Sequence, residues 1–384
     1  MSNSSNATKG AKMSGLAGIT AGSSAICTCG LGNGLNYRGY AIQDLALKAD
    51  FEEVAYLLLV GELPNQKQLN DFRRKIIAAR ELPIAVKNVL KSIPASSHPM
   101  DVMRTATSAL GCVEPEKEDF SDQLAKAIRL LGALPSFLIY WHHWHHWHKH
   151  GKEIDLISDE TTMAGYILER LKLKKPLDVE VKAMNAMLTL YAEHEFNAST
   201  FANRIAASTL SDIYSCITAG IAALKGRLHG GANEVAVKFV LQFDSVEQAL
   251  KSVDELFARK EKIMGFGHRV YRDLDPRSPV GFELASELKE LETSDPKLFD
   301  IAKAIRDKVK AEKGLPDNID FFGGLIYHYM EIERLYYTPL FIMSRAAGWA
   351  AHAFEQRANN KIIRPNSEYT GPAPRAFIPL SERE

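Results

Sequence analysis

Four short stretches carry the side chains best suited to moving a proton. They are "YAEHEFNAST" with His194, "LHGGANE" with His229, "GFGHRVYR" with His268 and "DNIDFFGG" with Asp320. Two neutral imidazoles and a carboxylate are the parts needed to take a proton from the carbon beside a carbonyl. The carboxylate is the base, and the imidazoles donate to oxygens on which charge develops. Glycines beside His229 and His268 let the main chain approach a ligand closely. Arg272, Arg277, Arg345 and Arg364 add guanidinium groups, which grip carboxylates or phosphates through two parallel hydrogen bonds. For any one of the four acid–base residues a hydrogen-bonded structural role is the ordinary expectation; as a set they point to chemistry. They lie far apart in sequence and can meet only through folding.

A denser cluster competes for notice. "YWHHWHHWHKHG" holds His142, His143, His145, His146, His148 and His150, half of the twelve histidines. A helix through the run puts His142, His145, His146 and His150 roughly on one side, and imidazoles at i and i+4 can hold zinc or nickel. No carboxylate or thiolate lies within the run to complete such a site. The run follows the apolar "LLGALPSFLIY" and closes on Lys149, His150 and Gly151, which are C-terminal helix signals. The expectation is the end of a surface helix, with tryptophans packed, histidines solvated and no metal bound.

The elements that must position these residues read as helices. Phe51, Val54, Ala55 and Leu58 share one helical face, which Gly61 and Pro64 end. Asn65 reads as the cap of a helix with Leu69, Phe72 and Ile76 on its apolar stripe. "MDVMRTATSALG", "KAMNAMLTLYAEHE" and "STLSDIYSCITAGIAALKG" are long and apolar enough for helices buried on several sides. "TPLFIMSRAAGWAAHAFEQR" opens with Thr338 as expected cap and Pro339 at the first helical position. Strand-like segments are few; "AICTCG" and "LNYRGYAI" predict a small hairpin. The class is mainly α, and the three glycine-bearing stretches around His229, His268 and Asp320 read as loops.

Composition narrows the function further. Lys+Arg and Asp+Glu balance at 47 each, so charge gives no case for nucleic acid or an anionic membrane as partner. No apolar run reaches the roughly 18 residues of a membrane span. The polar "MSNSSNATKGAKM" predicts a disordered leader over residues 1–13 rather than a signal peptide. Cys27, Cys29, Cys112 and Cys216 do not form a disulfide framework, and reduced thiols in a cytoplasmic protein are expected.

"AEHEFNAST", "HGGANE", "GFGHRVYRDLDPR", "NIDFFGG", "PLFIMSRAAGWAAH" and "KIIRPNSEYTGP", in this order, resemble the motifs of the citrate synthase family. The likeness runs from about "AGITAGSSAICTCG" to "YTGP", nearly the whole chain. "LNYRGYAIQDLA", "ASSHPMDVMRTATSALGCVEPEKE" and "NKIIRPNSEYTGP" look closest to the bacterial 2-methylcitrate synthases, whereas "GHRVYR" reads more like an ordinary citrate synthase.

The resemblance implies a two-domain helical fold with the active site in the cleft. Residues 1–229 and 330–384 would form a large domain and residues 230–329 a smaller one. It implies condensation of propionyl-CoA with oxaloacetate and water to 2-methylcitrate and CoA, with acetyl-CoA and citrate as the alternative. Asp320 would be the base, His229 the donor to the enol oxygen, and His268 the group that polarises the ketone. His194, Asn197, Arg277 and Arg345 would hold oxaloacetate. Arg364 would reach the neighbouring active site of a homodimer. Lys262, Ile263, Met264 and Gly265, with Arg272 and Asn318, would line the CoA site. Neither a metal nor another cofactor is implied.

Overall fold

The computed structural model describes residues 15–16, 18–30, 34–147 and 153–383. Near the start lies an antiparallel sheet of β1 (Cys27–Cys29), β2 (Leu35–Tyr37) and β3 (Tyr40–Ala41), in that order. The predicted hairpin is therefore there, with a third short strand added by the turn at Arg38–Gly39. Helices make up nearly all the rest, and the chain is mainly α as expected.

The first helices are α1 (Ile42–Lys48), α2 (Phe51–Val60), α3 (Gln66–Ala78), α4 (Ile84–Ser92) and α5 (Pro99–Val113). Phe51, Val54, Ala55 and Leu58 are all buried on α2, which ends at Gly61 with φ +103°. Asn65 caps α3 by accepting from the Gln68 N–H while the Gln68 side chain accepts from the Asn65 N–H, so two orphan donors are satisfied at once. The chain continues through α6 (Gln123–Trp147), α7 (Met163–Lys172), α8 (Asp178–Tyr191), α9 (Ala198–Ser208) and α10 (Ile213–Leu224). The stretch "AEHE" lies beyond α8 rather than inside it, so His194 sits on a helix-to-helix connection.

The last six helices are α11 (Ala232–Val240), α12 (Val246–Ala258), α13 (Ser278–Leu288), α14 (Pro296–Lys313), α15 (Ile319–Tyr329) and α16 (Tyr337–Ala358). Helix α16 begins one residue before Thr338, because a 3-10 turn at Arg334–Tyr336 leads straight into it and leaves no free N-terminus for Thr338 to cap. Instead, the Thr338 hydroxyl hydrogen-bonds to Glu234 and the Gly230 carbonyl, tying α16 to the start of α11. Helix α16 is buried along most of its length and packs against α2, α5, α6, α8, α9 and α10. Helices α11 and α13 pack on α15, and α12 packs on α14.

Two expectations need correction. The stretch Gln123–His145 of α6 is long and apolar enough to cross a membrane by length and composition, yet 78% of it is buried inside the protein, as in a core helix. The histidine run continues α6, and its described histidines are not simply solvated. His143 is buried and donates from Nε2 to the Arg170 carbonyl at 2.7 Å. His142 is half-buried and hydrogen-bonded through Nδ1 to the Tyr336 hydroxyl. The tryptophans do pack: Trp141 is buried with its indole N–H on the Ile93 carbonyl, and Lys91 lies over the Trp144 ring at 4.5 Å. An amphiphilic ring between two packed helices finds its hydrogen bond in the neighbour rather than in water. The side chain of His146, and the whole of His148 and His150, lie outside the described residues, as does the leader over residues 1–13.

Candidate active site

Helix ends gather the reactive side chains. His229 stands three residues before α11, Arg277 is the residue before α13, and Asp320 is in the first turn of α15. The three stretches read as loops thus end as helix N-termini, where partial positive charge favours anions. His194 and Asn197 lie in the link from α8 to α9, and Arg345 projects from the middle of α16. Together with His268 they line one cavity of about 420 Å³, whose walls also include Tyr191, Arg269 and Phe341.

The main chain fixes the proton on each of two imidazoles. Nε2 of His229 accepts from the Ser199 N–H at 3.2 Å, and Ser199 Oγ lies 2.8 Å away. A backbone N–H can only donate, so Nε2 holds a lone pair and the ring proton sits on Nδ1. Nδ1 of His268 accepts from the N–H groups of Val270 at 3.1 Å and Tyr271 at 3.3 Å, which puts its proton on Nε2. Burial, with the Arg345 charge, pushes His229 down to about 4. Burial and the Arg277 charge push His268 down to about 4, against the opposing pull of Asp275. Both rings are therefore neutral at ordinary pH, each with a defined donor nitrogen. Burial, then Arg277, His268 and Arg345, hold His194 well below the usual histidine range as well.

Asp320 is the carboxylate of the cavity. Its N–H is capped by Asn318 Oδ1 at 3.0 Å, and its Oδ1 accepts from the Tyr191 hydroxyl at 2.7 Å. Burial raises its proton affinity, while the Tyr191 hydrogen bond and the charges of Arg277 and Arg345 pull it back. Such a carboxylate is a stronger base than one in water.

The two arginines of the cavity are held by only part of their donors. Asp275 grips Arg277 through Nε at 3.0 Å and Nη2 at 2.8 Å. Burial alone would lift Asp275, but the charge and hydrogen bonds of Arg277 outweigh it and hold its carboxyl low. Arg345 donates from Nε to the Tyr191 carbonyl at 2.6 Å, lies over the Phe341 ring, and has its buried Nη1 without a protein partner. A buried guanidinium donor without a partner is costly unless an anion completes it. The side chain of Asn197 is engaged within the protein. Its oxygen caps α9 through the Thr200 N–H at 3.1 Å, and its amide donates to the His194 carbonyl at 3.2 Å, so it shapes the cavity wall.

A second cavity of about 530 Å³ adjoins the first at Gly267. Lys262, Ile263, Met264, Gly265 and Asn318 line it, with Phe257 and Lys313. Asn318 stitches the stretch to α15, since its N–H bonds the Gly265 carbonyl and its amide the Gly267 carbonyl, both at 2.9 Å. Gly265 has φ +91°, and a Cβ there would come within 2.8 Å of the Phe321 Cβ, so this close approach requires glycine. Arg272 and Arg364 are exposed and line neither cavity. Among the described residues no group of three His, Cys, Asp or Glu side chains is arranged to hold a metal ion.

Tyr191, Asp275 and Phe341 belong to this arrangement and were not singled out from the sequence. Asp275 had a readable signal, two residues before Arg277. Tyr191 and Phe341 looked like ordinary helix-core aromatics, and only the packing of α8 and α16 onto α15 brings them to Asp320.

A base, two neutral imidazole donors and two anion-gripping arginines in one cavity can enolise one carbonyl compound and activate a second, anionic one. A family model described as "Citrate synthase, C-terminal domain" matches residues 15–366. The chain belongs to the citrate synthase family. It is 46% identical over 370 residues to a 2-methylcitrate synthase of Shewanella oneidensis, covering 96% of this chain and 97% of that one. It is 40% identical over 372 residues to citrate synthase 2 of Bacillus subtilis, covering 96% and 98%. Among solved structures, citrate synthase from Pyrobaculum aerophilum superposes with a TM-score of 0.87 at 34% identity, covering 96% of this chain and 95% of that one. The ternary complex of citrate synthase from Thermoplasma acidophilum with carboxymethyl coenzyme A and oxaloacetate gives a TM-score of 0.87 at 33% identity, covering 96% and 98%. The chain is accordingly a condensing acyltransferase of this family.

Proposed function

We propose that the protein condenses propionyl-CoA with oxaloacetate and water, releasing 2-methylcitrate and CoA. The observation that carries this reading is the pairing of Asp320 with two imidazoles whose protons are fixed by main-chain N–H groups. Asp320 takes a proton from the carbon next to the thioester, and the Nδ1–H of His229 donates to the enol oxygen that forms. The enol carbon attacks the ketone of oxaloacetate, and the Nε2–H of His268 polarises that ketone and protonates the new alkoxide. Water then hydrolyses the thioester and CoA leaves as the thiol. Arg277 and Arg345, with His194, hold the oxaloacetate carboxylates, and Asn197 braces that pocket. Neutral donors suit this task because their acidity lies closer to that of the enol than an imidazolium's would. The second cavity suits an acyl-CoA arm, with Lys262 to Gly265 and Asn318 along its wall and Arg272 at the rim.

Residues 230–329 form the smaller domain in this reading, and residues 1–229 with 330–384 the larger. Oxaloacetate draws the two together, excludes water and completes the acyl-CoA site. The extended, exposed segment around Arg364 supports a homodimer in which that arginine completes the partner's pocket. The reaction belongs in the cytoplasm, where both substrates are made.

Propionyl-CoA is preferred here because the 46% identical relative is a 2-methylcitrate synthase. Acetyl-CoA is the second reading, supported by the 40% identical citrate synthase 2. One methylene in an apolar pocket is worth about 1–3 kcal/mol, so the two activities overlap. Free-thiol release with oxaloacetate, run on both acyl-CoAs in one preparation, tests the choice. A higher kcat/KM for propionyl-CoA is expected. A clear acetyl-CoA preference would make the enzyme a citrate synthase.

A further inference from the structure

Behind the cavity wall, two side chains that the proposed reaction does not use touch both oxaloacetate-side histidines. Tyr271 is buried. Its ring stacks on His268 with centroids 4.7 Å apart and planes 28° apart, and its N–H is one of the two that fix the His268 proton on Nε2. Its hydroxyl lies 3.3 Å from the Sγ of Cys29 on β1. That sulfur in turn lies 3.5 Å from Nε2 and 3.6 Å from Nδ1 of His194. The His194 ring meets His268 edge-on at 5.1 Å and Tyr271 at 5.5 Å. The next residue, Gly30, has φ +80°, and a Cβ there would fall 2.2 Å from Val270 Cγ1, so β1 is pressed against the His268 loop. Neither Tyr271 nor Cys29 lines the cavity.

We infer that Tyr271 and Cys29 are positioning residues for oxaloacetate. They form a brace that sets the angle between the ring that polarises the ketone and the ring that holds a carboxylate. The geometry gives each a separate share. The Tyr271 ring and N–H orient His268. Its hydroxyl and the Cys29 thiol form one contact that stops the His194 ring from turning. Burial pushes the Cys29 thiol up to about 11, so it stays a neutral, weakly polar spacer. A spacer of that kind suits a place between two neutral imidazoles, where a charged group would bind one of them instead.

The inference rests on the oxaloacetate reading above, and the experiment separates the two. Oxaloacetate affinity is measured by calorimetry, and kcat and both KM values by thiol release, for the unaltered enzyme, Tyr271→Phe, Cys29→Ala, the double variant and Tyr271→Leu. Tyr271→Phe and Cys29→Ala each remove the same contact. Each should weaken oxaloacetate binding about three- to tenfold, with the KM for acyl-CoA unchanged. The double variant should be no weaker than either single one, because one contact is lost in all three. Tyr271→Leu also loses the stack and should lower kcat about tenfold to a hundredfold. Effects of the two conservative variants that multiply, or unchanged oxaloacetate affinity in both, would overturn the brace. An unaltered enzyme that binds oxaloacetate but turns over neither acyl-CoA would overturn the proposed reaction alone, leaving the brace to be judged on affinity.

Discussion

His142 and His143 are neighbours in sequence, and so are their rings, whose centroids are 4.7 Å apart. His194, His229 and His268 are separated by dozens of residues and line one cavity. The two sets differ in what holds each ring. His143 donates to a carbonyl and His142 bonds a tyrosine hydroxyl, both on neighbouring parts of the helical core. His229 and His268 instead accept from main-chain N–H groups, which leaves each ring's N–H as a donor with a fixed position. An imidazole that gives its proton to the scaffold holds the scaffold together. One that receives a proton from the scaffold keeps its own for a ligand. The local density of histidines does not separate these cases; the direction of the hydrogen bond does.

Asp320→Asn should break the cavity set most severely. It removes the base and keeps the shape, so kcat should fall by about 10²–10⁴ while oxaloacetate binding, followed by calorimetry, stays near normal. Turnover like that of the unaltered enzyme would remove Asp320 from its role.

Lowering the pH sharpens the contrast through stability. His229 and His268 sit near 4 in the folded protein against an ordinary value of 6.5. Between those values the unfolded chain binds protons that the folded one refuses. Their contribution is complete above about pH 6.5 and lost as pH falls toward 4. Denaturant melts from pH 7 to 4.5 should show falling stability, and replacing both rings with glutamine should flatten part of that slope. An unchanged slope would show that the two rings titrate normally.

The smallest effect on turnover belongs to the run. Replacing its six histidines with glutamine should leave kcat/KM nearly unchanged, with acyl-CoA and oxaloacetate both varied. His143→Ala alone should cost about 1–3 kcal/mol of stability, because the Arg170 carbonyl loses its donor in a buried place. A large loss of turnover with the fold intact would put the run in the active site after all.

Much of this was legible in the chain itself. Helical periodicity gave the class, Asn65 and Gly61 gave helix boundaries, and alternation gave the small sheet, because these depend on neighbours within a few residues. The types of the reactive residues, the glycines beside them and the resemblance carried by their motifs named the site residues. Packing decided the rest. Tyr191 reaches Asp320 and Arg345 through the contacts of α8 with its neighbours, and no sequence period marks it out. The tautomers of His229 and His268 depend on N–H groups presented by turns and a helix start. The neutrality of both rings depends on burial beside arginines from other elements. Sequence fixes which groups a chain carries and their local conformation. Proton placement and charge state are set by the dielectric and the partners around each group, and these exist only once distant segments have packed together.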